Sequence, residues 1–151
     1  MKFFYPIILL IMLSCQSTSV DTHVIRLKPG QDLKKEIAAF TQQNKIEAGW
    51  IVTCAGSVTD YAIRLANKDS VTTGSGHFEI VSLSGTVSTN GMHLHISISD
   101  STGKTIGGHL ADGNIIYTTA EIVLQQSTDL KFTREKDGST PWEELQIKKI
   151  E

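Results

Sequence analysis

Alternating apolar and polar residues dominate the chain from about residue 23 onward. The stretch "HVIRLK" (23–28) alternates as a half-buried strand does, and it stops at Pro29-Gly30, a pair that favours a turn. The closing stretch "TPWEELQIKKIE" (140–151) fits either a short edge strand or a helical turn. Further runs with strand character, separated by short turn signals, cover residues 48–56, 61–66, 76–88, 92–99, 104–110, 115–126 and 130–136.

One segment follows a helical period instead. In "QDLKKEIAAFTQQNKI" (31–46), Leu33, Ile37 and Phe40 recur at helical spacing, and Asp32 stands where an acidic residue favours the start of a helix. One helix among about seven strands with short links predicts a single α+β domain. We expect a mainly antiparallel sheet with the helix packed on one face.

The first 20 residues show a different pattern, typical of a secretory signal. Lys2 precedes an apolar run from Phe3 to Leu13, which is shorter than the roughly 20 apolar residues that span a bilayer. Cys15 follows where this run ends, and "MLSC" (12–15) resembles a permissive lipobox, the site at which bacterial lipoproteins are cleaved and lipidated. An uncleaved anchor, or an ordinary signal peptide with an incidental cysteine, is the alternative.

We therefore expect three parts in the chain. Residues 1–14 are predicted to be a signal peptide that is cleaved before Cys15, residues 15–22 a tether, and residues 23–151 the folded domain. Lipidation of Cys15 would place the protein in the bacterial cell envelope, as a periplasmic or outer-membrane lipoprotein held at the membrane by its lipid anchor.

Charge and cysteine content narrow the function. Removal of residues 1–14 would leave 137 residues with 13 basic and 16 acidic side chains, a net charge of −3. Such a balance argues against nucleic-acid binding, which needs a basic surface. Cys54 would be the remaining thiol, and its apolar setting in "WIVTCAG" indicates a buried structural residue. The sequence shows no Cys-rich zinc pattern, nucleophile elbow, phosphate loop or dinucleotide fingerprint.

Three of the five histidines fall within "GMHLHISISDSTGKTIGGHL" (91–110), and the strand register decides whether they meet. His93 and His95 are two residues apart on one strand, so they point to the same face. A two-residue loop would send His109 to the opposite face, whereas a three-residue loop (101–103) sets it opposite His95.

Two features favour the three-residue loop. The sequence "DSTG" (100–103) suits a type I turn followed by a glycine in the left-handed conformation. The same register places Ile98 opposite Ile106 and Leu94 opposite Leu110, which gives one apolar and one polar face, while the rival register scrambles both. We predict that the three histidines share the polar face.

Three neutral imidazoles on one polar face can bind Zn²⁺ or a related divalent cation. Three protein ligands leave a coordination position open for water or a small-molecule ligand, as in catalytic and binding sites. A solvated polar face that carries histidines for no chemical reason is the alternative. His23 and His77 lack this setting and are interpreted as structural or surface residues.

Three motifs of the chain resemble those of a known family. "GHFEIVSLSGTVS" (76–88), "HLHISISDSTGKTIGGHL" (93–110) and "IIYTTAEIVL" (115–124) together resemble the PPC domain (plants and prokaryotes conserved), over roughly residues 23–132. The resemblance implies a single α+β domain with a seven-stranded, largely antiparallel sheet and a packed helix. It also implies a homotrimer.

The resemblance implies site residues as well. Bacterial and archaeal members that keep three histidines are suspected to hold a metal there, and His93, His95 and His109 match those positions. Glu79 matches the glutamate of "FEI", which would support the metal ligands or contact another subunit, or have a purely structural role. Plant members follow AT-hook DNA-binding motifs, and this chain has none.

Four functions are consistent with the sequence. The preferred hypothesis is a trimeric envelope module that binds a Zn-like metal and a small molecule on it. A metal-dependent hydrolase or lyase is the second, with Glu79, Asp112 and Glu121 as candidate acid–base groups and no assigned catalytic residue. A DNA-binding protein, the label given to plant relatives, is the third, and the acidic charge, the missing AT-hook and the signal peptide argue against it. A purely structural trimer is the fourth.

Overall fold

The computed structural model describes residues 19–150, and the predicted signal peptide with Cys15 lies outside the described residues. Within them the chain forms an α+β fold with one α-helix and antiparallel strands, as the sequence predicted. The strands form a six-stranded and a two-stranded sheet instead of one sheet of about seven strands. The elements follow the order β1 (Val20–Leu27), α1 (Leu33–Gln43), β2 (Gly49–Arg64), β3 (Thr72–Ser88), β4 (Gly91–Ser99), β5 (Thr105–Leu110), β6 (Ile115–Ser127), β7 (Leu130–Glu135) and β8 (Glu144–Lys149).

The main sheet has six strands in the order β1-β6-β2-β3-β4-β5, and every neighbouring pair is antiparallel. Its curvature brings β5 back onto the far end of β2, where Ile63 pairs with Leu110 and Arg64 with His109. Strands β2, β3, β4 and β5 therefore close on one another. The hairpin of β7 and β8 forms the second sheet.

The structure differs from the predicted strands in three places. Residues 48–56 and 61–66 were predicted as separate strands, but β2 runs without a break through Gly49–Arg64. Register shifts near Val58 bend this long strand, because a bulge adds twist without ending the pairing. The first strand begins at Val20 rather than at residue 23, and β3 begins at Thr72 rather than at residue 76. The tail, for which strand and helical turn were both open, forms β8.

Helix α1 covers one face of the main sheet. Asp32 caps its start, because its Oδ1 accepts hydrogen bonds from the backbone N–H groups of Lys34 and Lys35 at 3.0 and 3.2 Å. Leu33 and Ile37 are fully buried against the sheet. At 11 residues, α1 is far shorter than a bilayer span, and no helix within residues 19–150 is long and apolar enough to cross a membrane.

The apolar core lies between α1 and the concave face of the closed strands. On β4, Leu94, Ile96 and Ile98 point into this core, and their neighbours in the sequence point outward. Ile96 lies opposite Leu83 of β3, and Ile98 lies opposite both Ile80 of β3 and Ile106 of β5. Burial of this face fixes the register of β4 and β5, since a one-residue slip would expose all of these side chains.

Candidate metal centre

The turn between β4 and β5 has the geometry that the sequence predicted. The backbone N–H of Asp100 donates to the carbonyl of Lys104 at 3.0 Å, which closes a three-residue loop (101–103). Gly103 has φ +82°, the left-handed conformation that favours glycine. The carboxylate of Asp100 accepts hydrogen bonds from the backbone N–H and hydroxyl of Thr102 at 2.8 and 2.6 Å, which holds the turn in place.

This turn brings the three predicted histidines together. His95 pairs with His109 across the β4–β5 ladder, and His93 lies two residues away on the same face. His93 Nε2 lies 3.2 Å from His95 Nε2 and 3.1 Å from His109 Nδ1. The three ring nitrogens lie within 4.8 Å of one another. His93 and His95 are exposed and His109 is half-buried, so the cluster opens to solvent.

The spacing of two of the three nitrogen pairs is compatible with a shared metal ion. A ring nitrogen carries either one proton or one lone pair, so His93 Nε2 cannot make two good hydrogen bonds to its neighbours. Tetrahedral Zn²⁺ with Zn–N bonds of about 2.0–2.1 Å places its nitrogen ligands about 3.3 Å apart. The observed separations of 3.1 and 3.2 Å are close to this value. The three histidines could therefore hold a metal ion.

The local electrostatics lower the pKa of two of the three rings. Partial desolvation lowers the pKa of His93 below the ordinary histidine value, and the nearby charges of Arg134 and His95 lower it further. Desolvation also lowers the pKa of His109, with Arg64 as the next cause. Because a metal competes with protons for imidazole lone pairs, a low pKa favours metal binding at neutral pH.

Two arginines flank the histidine cluster, and neither was predicted from the sequence as a site residue. Arg64 ends β2 and is the cross-strand partner of His109. Arg134 of β7 donates from Nη2 to the hydroxyl of Thr86 at 3.0 Å, and Thr86 is the cross-strand partner of His93. The available signal was a single arginine within each of two predicted strands, "YAIRLA" and "LKFTREK". An arginine in a strand gives no indication of where distant strands meet.

A pocket of about 520 Å³ opens beside the histidines, within the usual size of small-molecule sites. His93 and His109 line it. A smaller pocket of about 270 Å³ shares His93 and Arg134 with it and is also lined by His95. The walls of the larger pocket include both arginines together with Lys68, Met92, Trp142 and Glu144.

The three carboxylates predicted as candidate acid–base groups lie apart from the histidine cluster of the same chain. Glu79 is on the same sheet face, but it pairs with Ser99, four residues along β4 from His95 and so roughly 13 Å away. It therefore does not support the histidine rings of its own chain. Asp112 forms an ion pair with Lys34 at 3.1 Å, and Glu121 lies opposite Ala55 in the middle of β2. Glu144, at the start of β8, lines both pockets and was not predicted.

The two remaining histidines lie outside the cluster, in the structural and surface settings that were expected. The ring of His23 packs edge-on against Phe40 of α1, with ring centroids 5.4 Å apart. His77 is exposed and stacks on Tyr117 at 4.1 Å. Both rings have aromatic partners and no second histidine beside them in the described part of the chain.

Comparison with known proteins identifies the family. The family model of the Plants and Prokaryotes Conserved (PCC) domain, the PPC domain that the motifs resemble, matches residues 15–128. The chain belongs to the PCC domain family. Among curated relatives, it is 42% identical over 132 residues to the bifunctional protein GlmU of Synechococcus sp. (strain JA-3-3Ab), covering 87% of this chain and 21% of that protein. The PCC chain thus spans about a fifth of the length of this relative.

Solved structures share the PCC fold. A hypothetical protein from Salmonella cholerae-suis is 38% identical, with a TM-score of 0.86 over 88% of this chain and 96% of its own. The metal-containing protein AF0104 from Archaeoglobus fulgidus is 24% identical, with a TM-score of 0.71 over 86% of this chain and 96% of its own. At 24% identity, the second likeness shows the fold alone. Because 96% of the Salmonella chain is covered, that protein consists almost entirely of this domain.

Proposed function

We propose that this PCC-domain protein is a trimeric metal-binding module of the bacterial cell envelope. In this proposal His93, His95 and His109 hold Zn²⁺, and its open coordination position receives a small ligand. The convergence of three ring nitrogens, two of them 3.1 and 3.2 Å from the third, is the observation that carries the proposal. The metal-containing description of AF0104, which shares the fold, agrees with it.

The choice of Zn²⁺ rests on the ligand chemistry. Three imidazoles without a carboxylate or thiolate suit zinc, as well as copper and nickel, and do not suit magnesium or calcium, which prefer oxygen ligands. Three protein ligands with an open position are typical of zinc sites that bind or activate a further molecule. A closed structural site would need a fourth protein ligand.

Ligand binding is preferred over catalysis because of where the carboxylates lie. A metal-dependent hydrolase or lyase needs an acid–base group within hydrogen-bond reach of the reacting atoms. Glu79, Asp112 and Glu121 do not meet this condition within the chain. Glu144 lines the pocket beside His93 and is the residue on which the enzymatic alternative now depends. If the zinc-loaded protein turns over a hydrolase or lyase substrate, and a Glu144→Gln variant keeps the metal but loses this activity, the enzymatic alternative is favoured.

The trimer and the envelope location are supported by different parts of the chain. Large apolar side chains stand exposed on the strands, among them Val24 at 77%, Val81 at 57% and Val52 at 49% exposure. Other copies of the chain could cover them, since an exposed apolar surface commonly marks an interface. The signal-like pattern of residues 1–14 and Cys15 supports the envelope location. Multi-angle light scattering and membrane fractionation of the full chain test these two parts.

The test of the metal centre is metal content and thermal stability on the soluble chain, residues 16–151. We expect close to one zinc per chain by mass spectrometry after incubation with Zn²⁺ and dialysis. We also expect a rise in Tm, because a ligand that binds only the folded state stabilises it by about 2.7 kcal/mol at 100 times its Kd. The His95→Ala, His109→Ala double variant should keep its fold and lose both effects.

A His77→Ala variant is the matched control, since it removes an exposed histidine outside the cluster. It should retain the zinc and the rise in Tm. A folded wild-type chain that stays metal-free after incubation with Zn²⁺, Cu²⁺ and Ni²⁺ would rule out the metal centre. The histidine face would then be a polar surface.

A further inference from the structure

We propose that the pocket beside the metal centre binds a small organic diacid, with Arg64 and Arg134 as its anchoring residues. This inference rests on the proposed metal centre and names the class of ligand that would bind there. One carboxylate would occupy the open coordination position beside Arg64, and the other would pair with Arg134. The observation that carries it is a pair of guanidinium groups, on two sides of one histidine cluster, that form no ion pair with a carboxylate of residues 19–150.

Arg64 is placed by the closure of the main sheet. It is the cross-strand partner of His109, so the two Cβ atoms lie on the same face and about 4.5–5.5 Å apart. Its Nη1 makes one long contact, 3.4 Å, with the backbone carbonyl of Lys68. Arg64 is half-buried and forms no ion pair with a carboxylate of residues 19–150. Its guanidinium charge is therefore left for a ligand.

Arg134 reaches the cluster from the opposite side, on the separate β7–β8 hairpin. Its backbone N–H donates to Asn90 Oδ1 at 2.9 Å, and its Nη2 donates to Thr86 Oγ1 at 3.0 Å. These contacts hold the side chain over β3 and β4 beside His93 but do not neutralise it, because both acceptors are uncharged. Among the ion pairs of the described residues, none involves Arg134. A half-buried, positioned and uncompensated arginine is well suited to bind a carboxylate through two parallel hydrogen bonds.

The remaining pocket residues limit the size and charge of the ligand. Lys68 lines the pocket together with the two arginines, and three acidic residues, Asp69, Glu143 and Glu144, line it as well. Protein charges alone therefore balance, and a bound divalent metal makes the pocket positive. An extended polyanion such as nucleic acid would meet the acidic residues, whereas a short dianion can contact the metal and the arginines only.

The pocket also offers an apolar surface for the carbon chain of such a ligand. Met92 and Trp142 line the same pocket as the two arginines, and Trp142 is 66% exposed. A volume of about 520 Å³ accommodates a molecule of several carbon atoms with its water. Inorganic phosphate would fill only a small part of this space. These features favour a diacid with a short carbon chain over a simple inorganic anion.

The test is isothermal titration calorimetry of zinc-loaded residues 16–151 with succinate as the probe. Monomethyl succinate, which has one negative charge, and inorganic phosphate are the comparison ligands. We expect succinate to bind more tightly than either. Arg64→Gln and Arg134→Gln should each weaken succinate binding by about tenfold or more, since each removes a charge-assisted contact. Arg26→Gln is the matched control, because Arg26 is an exposed arginine on β1, away from the pocket.

Zinc content and circular dichroism of each sample separate the possible failures. A protein that takes up no zinc contradicts the metal centre itself. A zinc-loaded wild type that does not bind succinate, or that binds phosphate more tightly, overturns the diacid assignment and leaves the metal centre standing. Equal succinate affinity in the folded, zinc-loaded Arg64→Gln, Arg134→Gln and Arg26→Gln variants overturns the role of the two arginines. An Arg64→Lys variant that recovers part of the affinity would support it.

Discussion

His95 lies directly opposite His109 in the β4–β5 ladder, with ring centroids 4.5 Å apart and ring planes at 86°. His93 stacks on His109 at 4.9 Å, with its plane turned by only 9°. All three rings thus depend on the register of a single hairpin. The register is set by the three-residue turn and by the apolar side chains behind the histidines, so the stability of this hairpin and the geometry of the metal centre are linked.

Substitution of Gly103 tests the role of the turn. Its φ of +82° is unfavourable for residues with a Cβ, although a Cβ would meet no atom within 4 Å. A Gly103→Val substitution should therefore lower the free energy of unfolding by about 1–2 kcal/mol through backbone strain alone. Urea denaturation of the metal-free protein measures this loss.

A Gly103→Asn substitution is the control for this prediction, because asparagine tolerates the left-handed conformation better than other residues. It should lose clearly less stability than Gly103→Val. Equal losses in the two variants would mean that backbone conformation at this position does not limit the hairpin.

Gly108 tests the contact between β5 and β2. A Cβ at this position would lie 2.5 Å from the backbone oxygen of Arg64 and 3.0 Å from a methyl group of Ile63. A Gly108→Ala substitution should push the two strands apart and cost about 1–3 kcal/mol, as overpacking does. It should also weaken zinc binding, because Arg64 and His109 are paired at this contact. Ser97→Ala is the control, because Ser97 lies on the histidine-bearing face of β4. It should change neither the free energy of unfolding nor zinc binding.

The sequence was informative about the hairpin because local alternation reports the face on which each side chain lies. The matched apolar pairs of β4 and β5, such as Ile98 and Ile106, were sufficient to choose the register, and with it the meeting of the histidines. Glu79 was named from the family resemblance alone. Alternation could not show that its partner on β4 is Ser99, four residues along the strand from His95.

The sequence was uninformative where distant elements meet. Arg64 reaches the site because the sheet closes between β2 and β5, and Arg134 because the β7–β8 hairpin packs beside β3. The first contact depends on sheet curvature, to which bulges such as the one near Val58 contribute, and the second on the packing of a separate hairpin. Neither has a local signal in the sequence. The signal peptide, lipid anchor and trimer stay predictions.

Asn114 is expected to be critical for the loop that follows β5. Its side chain is fully buried, and its amide donates to the carbonyls of Ala62 at 2.9 Å and Ala111 at 2.7 Å. Its Oδ1 accepts from the backbone N–H of Ala62 at 3.3 Å. An Asn114→Ala substitution removes these three hydrogen bonds from a largely buried site and should cost about 2–3 kcal/mol by urea denaturation. An exposed amide on α1, Gln43, provides the control, and Gln43→Ala should cost much less.

Cys54 gives a prediction for alkaline pH. Burial raises the pKa of its thiol from 9.0 to about 12 in the folded protein. The folded state therefore keeps its proton at pH values where the unfolded chain has lost it. Stability from this difference is fully present below pH 9 and is lost as the pH rises from 9 towards 12. At pH 10 the loss should be about 1.4 kcal/mol, from a thiol that ionises near pH 9 in the unfolded chain.

A Cys54→Ala variant isolates this effect, because its other titrating groups are the same as those of the wild type. Its free energy of unfolding should be lower than that of the wild type at pH 7, since the smaller side chain leaves a cavity. The difference between the two proteins should shrink by about 1.4 kcal/mol between pH 7 and pH 10, as the wild type alone loses the contribution of its thiol. A difference that stays constant over this range would show that Cys54 ionises equally easily in the folded and unfolded states, and that its burial does not reach the sulfur.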